Sequence, residues 1–157
     1  MARRARTKEN AMINRLKKDF ENSEYNISLI LNKSVPYDNR RFRPDVLIKL
    51  KTHNIIIEND ENQHSGYPKD CEEARTGNIF IGLGCKKLVF IRFNPDSYKD
   101  NIGDKHKSCF HDRTCKIKPK DYLKRYEKLT STLKKHIKHE PSESYEMVNL
   151  FYNGYRI

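Results

Sequence analysis

Residues 42–64 read FRPDVLIKLKTHNIIIENDENQH, and this stretch decides the fold. Its two apolar runs, Val46-Leu47-Ile48 and Ile55-Ile56-Ile57, are short and rich in β-branched residues, so they predict strands rather than a helix. The polar link Lys51-Thr52-His53-Asn54 joins them as a hairpin, with His53 expected to stand exposed in its turn. That hairpin puts Asp45, which precedes the first run, and Glu58, which follows the second, at one end of a sheet. Strand alternation sends Glu58 and Asp60 to one face and Asn59 to the other. Carboxylates crowded in this way repel one another unless a cation lies among them. The economical reading is a divalent-metal site built from Asp45, Glu58 and Asp60, with His64 beside it.

Outward from this acidic focus the chain is strongly basic, with a formal net charge of +11 over 157 residues. Residues 1–20 carry seven Lys/Arg against two acids, and residues 99–139 carry thirteen against five. Residues 45–64 reverse the sign, with Lys49 and Lys51 against Asp45, Glu58, Asp60 and Glu61. Such a charge points to a polyanionic partner. Acids framed by cations suit phosphodiester cleavage, in which basic flanks hold the backbone and carboxylates hold metal at the scissile phosphate. A purely architectural nucleic-acid binder needs the positive charge but not the acids.

The length fits a single domain, with 36% hydrophobic residues gathered in short periodic blocks rather than scattered. No run reaches membrane-spanning length, and MARRARTK lacks the apolar segment of a secretory signal, so the expected location is intracellular, cytoplasm or nucleus. Four cysteines without a signal agree with a reducing compartment and free or metal-bound thiols.

The expected element order is α-β-β-β-α-β-loop-α-β, an α/β class. Thr7 is a candidate cap for a helix running to about Asn22, whose apolar face is Met12, Ile13, Leu16 and Phe20. Glu9 shares that face, where an acid in the first turn also suits the helix dipole. Residues 27–31 read as a strand and 36–43 as a basic loop. Asp70 and Glu73 resemble a capping box, opening a helix that stops near Gly84. KLVFIRF, residues 87–93, is a strongly β-forming run ended by Asn94-Pro95-Asp96. Pro119 suits the first turn of a long helix presenting Tyr122, Tyr126, Leu129, Leu133 and Ile137 and ending before Pro141. Residues 147–152 read as a last strand. The domain then divides into a core of about 8–98, a basic loop 99–118 and a C-terminal helix and strand 119–152.

Taken in order, Glu9, Arg43-Pro44-Asp45, IIIENDENQH, Asp70 with Arg75, Gly84 and VFIRFNPDSY resemble the PD-(D/E)xK restriction-endonuclease-like superfamily. Within it the chain is most similar to the branch shared by very-short-patch mismatch-repair endonucleases and EDxHD homing endonucleases. The resemblance covers residues 8–98 closely and the remainder loosely, and the ordered set is far more specific than any one piece. It implies a central mixed β-sheet flanked by helices in an α/β/α core. It also implies a metal-dependent DNA endonuclease of homing, mobile-element or repair type. A lapsed nucleic-acid-binding module of the same fold and a nuclease acting on RNA are the alternatives. One departure matters: Asp60 stands where the superfamily pattern has lysine, and by resemblance His64 takes over part of that lysine's work. Imidazole, titrating near neutrality, is able to accept a proton from water or polarise the transition state.

The resemblance gives each residue an expected role. Asp45 and Glu58 bind the metal, Mg²⁺ with Mn²⁺ able to substitute, and Asp60 completes the sphere or positions the water. Glu9 reaches the same cluster through a metal-bound water. Arg40, Arg41, Arg43, Lys49 and Lys51 lie close enough in sequence to grip the DNA backbone. Arg75 either joins them or pairs with an acid. Whether the protein acts as monomer or homodimer is not written in these motifs. In DKHKSCFHDRTC, residues 104–115, His106, Cys109, His111 and Cys115 are zinc-capable, but their spacing fits no zinc template. They read first as loop residues or half-buried thiols, and second as a structural zinc site or a loop lying on DNA.

Overall fold

The expected hairpin forms, and its second strand is the middle strand of a five-stranded sheet. The computed structural model describes residues 2–37, 40–64 and 69–157, with the side chains of 2–6, 36, 37, 40, 64, 69 and 70 left aside. The order is α1 (Ala2–Phe20), β1 (Ile30–Leu31), β2 (Val35–Tyr37), β3 (Arg40–Phe42), β4 (Val46–Lys49) and β5 (His53–Asn59). A 3₁₀ turn (Glu61–His64) leads to α2 (Lys69–Gly82), β6 (Lys87–Phe93), β7 (Tyr98–Lys99), β8 (Lys105–His106), α3 (Pro119–Lys138) and β9 (Tyr145–Leu150).

The sheet runs β1-β4-β5-β6-β9, antiparallel up to β5 and parallel from β5 to β9. Helices cover both faces, which is why β5 and β6 read as unbroken apolar runs rather than alternating ones. On one face Ile55, Ile57, Val89, Ile91 and Phe93 pack against Met12, Leu16 and Phe20 of α1 and Tyr122, Tyr126, Leu129 and Leu133 of α3. On the other, Leu47, Ile56, Leu88 and Phe90 pack against Ile79 of α2. Each wholly buried isoleucine contributes about 1.5–3 kcal/mol relative to exposure, so the three of β5 anchor both layers at once. The α/β architecture with a mixed sheet flanked by helices is therefore present. No helix among the described residues is long and apolar enough to cross a membrane.

Several local expectations change. Within the expected loop 36–43, residues 36–37 and 40–42 are strand: β2 and β3 pair antiparallel with Val35 opposite Phe42, and burial of both against the α2 face holds them. Thr7 does not cap α1, which continues back to Ala2 through residues of good helix propensity, and the helix ends at Phe20. The strand over 27–31 shortens to its last two residues, and the last strand sits two residues earlier than expected. His53 is no exposed turn residue but the first residue of β5, 1% exposed. The α2 stop falls as expected: Gly84 takes φ +82, a conformation cheap only without a Cβ, and the Cys85 amide closes on the Phe80 carbonyl at 3.0 Å.

Candidate active site

The carboxyl ends of β5, β6 and β9 lie at one end of the sheet, together with the start of β4. Crevices at such ends are where open α/β sheets hold ligands. The register Val46 opposite Ile57 brings Asp45 beside Glu58 as expected, and the Asn59 amide donates to Asp45 Oδ2 at 2.8 Å. Burial, then the charges of Glu9, Asp60 and Glu61, push the Asp45 carboxyl up to about 7. Burial and the charges of Asp45 and Asp60 likewise raise Glu58 well above the carboxylate range, against the pull of Arg75. Glu58 Oε1 is buried without a hydrogen-bond partner, and so are Nδ2 and Oδ1 of the Asn59 side chain. A buried acceptor left unsatisfied costs roughly 1–3 kcal/mol, more for a charged one, so native proteins keep few.

Asp60, expected as a third ligand, is engaged on its protein side. It is 2% exposed, with Oδ2 3.0 Å from Arg92 Nε and accepting from the Tyr152 hydroxyl at 2.5 Å. Burial and the Asp60 charge drive the Tyr152 phenol far upward, so it remains a donor. Arg92 Nη2 holds Glu72 Oε2 at 2.5 Å. Arg75 lies 3.6 Å from Glu72 and over the Phe42 ring at 4.8 Å, and its charge reaches Glu58. With all four ionised, Asp45, Glu58, Asp60 and Glu72 set four negative charges against the guanidiniums of Arg75 and Arg92, a formal excess of two. That excess, with the orphaned Glu58 oxygen, fits a hard divalent ion held by one or two carboxylates and otherwise by water and substrate oxygens. Among the described residues no three His, Cys, Asp or Glu side chains gather as a fully protein-made metal cage requires.

Glu9 is delivered to the same end by α1, where its charge raises both Asp45 and Glu61. His64 ends the turn that leaves β5, and its side chain lies outside the described residues, as does that of Arg40. Asn62 and Gln63 in that turn have φ of 53° and 57°, an uncommon conformation for such residues. Contacts from elsewhere hold it. The Asn62 amide donates to Asp96 Oδ2 at 3.1 Å, and the Asn153 amide donates to Gln63 Oε1 at 2.6 Å. Asp96 also accepts from Lys8 Nζ at 2.7 Å and Ser108 Oγ at 3.1 Å, while Lys8 lies 3.6 Å from Glu61. Lys8, Asn62, Asp96, Ser108 and Phe110 border a cleft of about 280 Å³.

Lys8, Glu72, Arg92, Asp96 and Tyr152 were not among the expected site residues. Two of them had a signal: an arginine inside KLVFIRF must find an acid when buried, and Asp96 follows directly on a strand end. Nothing local marks Tyr152. Arg41, in β3, and Arg43, two residues before Asp45, are exposed, but Lys49 and Lys51 stand at the opposite end of the β4–β5 hairpin from Asp45. Proximity in sequence misplaced them because β4 runs away from the site. The zinc-capable residues do not converge either. His106 Nε2 is 2.8 Å from Asp100 Oδ2 and its ring stacks on Tyr98 at 4.5 Å, while Cys109 is wholly buried, its thiol pushed up to about 11 by burial. His111 and Cys115 border the Asp96 cleft. Comparison with family models, curated proteins and solved structures gives no match, so the residues themselves carry the functional reading.

Proposed function

We propose that the protein is a metal-dependent endodeoxyribonuclease, hydrolysing phosphodiester bonds at the end of the sheet where Asp45 and Glu58 meet. The observation that carries this reading is the buried, unpartnered Glu58 Oε1 beside a carboxyl raised to about 7. Two acids held at that cost have a use when a divalent cation and a phosphate lie between them. Asp45 and Glu58 would hold magnesium, with manganese able to substitute, and the bound ion would supply charge at the scissile phosphate.

The other residues act around that pair. Asp60, fixed by Arg92 and Tyr152, adds negative potential without leaving its own partners. Arg75, whose charge reaches Glu58, meets a phosphate oxygen. His64, in the absence of the pattern's lysine, accepts the proton of the attacking water. Its turn is fastened by Asp96 and Asn153, so the imidazole is attached to a fixed backbone.

The test is cleavage of supercoiled plasmid with Mg²⁺, Mn²⁺ or EDTA, comparing wild type with Asp45→Ala and Glu58→Ala. Cleavage by the wild type with either metal, none in EDTA, and none by either variant is the expected result. Both variants should still bind DNA, because losing a carboxylate lessens repulsion of the phosphates. A variant cutting at near wild-type rate removes this centre. DNA binding by a wild type that never cleaves would instead make the protein a binding module.

A further inference from the structure

The thirteen Lys and Arg of residues 99–139 form one basic run in sequence, but the fold divides them between the two ends of the sheet. Arg125 fixes one half of α3: its Nη1 donates to the carbonyls of Asn94 at 3.0 Å and Asp96 at 2.6 Å, at the acidic end. Roughly 16 Å further along the helix axis, at 1.5 Å per residue, the His136 carbonyl meets His53 at the far end. Lys120 and Lys124 therefore belong to the acidic end, and Lys134, Lys135 and Lys138 do not.

The β7–β8 hairpin adds to the near set. It begins two residues after Asp96, and Lys99 lies directly opposite Lys105, both exposed. Opposed like charges on one face of a hairpin destabilise it. Among the described residues neither lysine has a carboxylate within ion-pair distance, and neighbouring Asp100 is taken by His106. Lys107 and Lys124 border one open cleft of about 290 Å³ between hairpin and helix, with Asp121 the acid among its lining residues. The repulsion is carried by the unliganded protein and is relieved when a polyanion lies across it.

We propose that the β7–β8 hairpin and the N-terminal half of α3, through Lys99, Lys105, Lys107, Lys120 and Lys124, form the surface that grips the phosphate backbone of duplex DNA. The identity of the partner rests on the nuclease reading; the location of the surface rests on exposure, charge and helix direction.

The experiment measures binding of a labelled DNA duplex by anisotropy across a salt series in EDTA, so that cleavage plays no part. One variant carries Lys99→Ser, Lys105→Ser and Lys124→Ser; a second, with Lys134→Gln, Lys135→Gln and Lys138→Gln, loses the same charge at the far end. The first should flatten the slope of log K against log salt by about 2–3 and weaken binding by about 10–100-fold near 0.1 M salt. The second should leave the slope unchanged. A single Lys105→Glu should raise the melting temperature of the DNA-free protein, by pairing with Lys99, while weakening DNA binding. Equal effects of the two triple variants would overturn the inference. So would a normal wild-type slope that the first variant leaves untouched, and that outcome spares the nuclease reading. A wild type with no salt-dependent binding removes the DNA reading as well, and tighter binding of duplex RNA than of DNA overturns the assigned partner.

Discussion

At the end of the sheet where β5 begins, His53 is as buried as a core isoleucine, yet its ring is fully satisfied. Its Nε2 donates to the His136 carbonyl at 2.6 Å and its Nδ1 accepts from the Thr52 hydroxyl at 2.9 Å. Lys87 Nζ caps the Pro141 carbonyl at 2.9 Å, and Lys86 does the same for Leu50. At the opposite end the same strand finishes in Glu58 and Asn59, where Glu58 Oε1 and both side-chain amide atoms of Asn59 are buried without a hydrogen-bond partner. One strand therefore carries a closed polar end and an open one. Closure is what folding alone selects, since each unmet buried group costs free energy. Openness beside raised carboxyls is what supports the proposed site at this end.

Two histidines test this difference most sharply. His64→Ala, at the open end, should slow cleavage by about 10²–10⁴-fold, the range for a general acid or base. The limb of the rate profile that rises through the histidine range should vanish, and Mg²⁺ affinity should hold. His53→Ala, at the closed end, should cost about 1–3 kcal/mol of stability by stranding the His136 carbonyl. Its cleavage per folded molecule should match wild type. If the stability loss and the rate loss exchange places, the two ends have been misassigned.

Next in size is the cost of the acids themselves. The Asp45 carboxyl titrates near 7 in the folded protein and near 3.8 unfolded, so the folded state binds the proton more tightly. Its stabilising protonated form prevails below pH 4, and that stability is lost as pH rises from about 4 through 7. Asp45→Asn keeps an acceptor for the Asn59 amide but no charge. In calorimetry without metal it should exceed wild type by roughly 4 kcal/mol above pH 7, converting a rise of about three pK units at about 1.4 kcal/mol each. The gap should close toward pH 4. Added Mg²⁺ should raise the wild-type melting temperature more than that of the variant. A variant no more stable than wild type at pH 8 would mean that the site is not under electrostatic stress.

The smallest effect concerns the fastening of the His64 turn. Asp96→Asn removes charge from an acid that accepts from Lys8, Ser108 and the Asn62 amide. Stability should fall by about 1–2 kcal/mol. Hydrogen exchange at the Asn62 amide should accelerate, while the His53 end is unchanged. Equal acceleration at both ends would mean global loosening rather than release of one turn.

How much of this was written in the chain depends on how far apart the interacting residues are. The β4–β5 hairpin, the strand over 87–93 and the long C-terminal helix were legible because each follows from short-range periodicity: Ile55-Ile56-Ile57 and KLVFIRF have no other comfortable home, whereas the mixed sense of the sheet was implied only by the resemblance. The juxtaposition of Asp45 and Glu58 was legible too, since one hairpin register sets it. The short β2–β3 pair was not, because burial of Val35 and Phe42 against the α2 face, rather than a local turn signal, holds it. Nor was the place of His53, which depends on a carbonyl in α3.

The amino-acid sequence by itself determined the α/β class, the paired carboxylates at a strand end and the basic character that frames them. Those are properties of residue type and spacing of two, three or four positions. Only the tertiary structure decided which cations stand near those acids. It moved Lys49 and Lys51 to the wrong end, brought Lys8, Arg92, Asp96 and Tyr152 to the right one, and divided a single basic run in two. The physical reason is that strand and helix directions carry neighbours in sequence about 10–20 Å apart at 3.3 or 1.5 Å per residue, while β5, β6 and β9 end together.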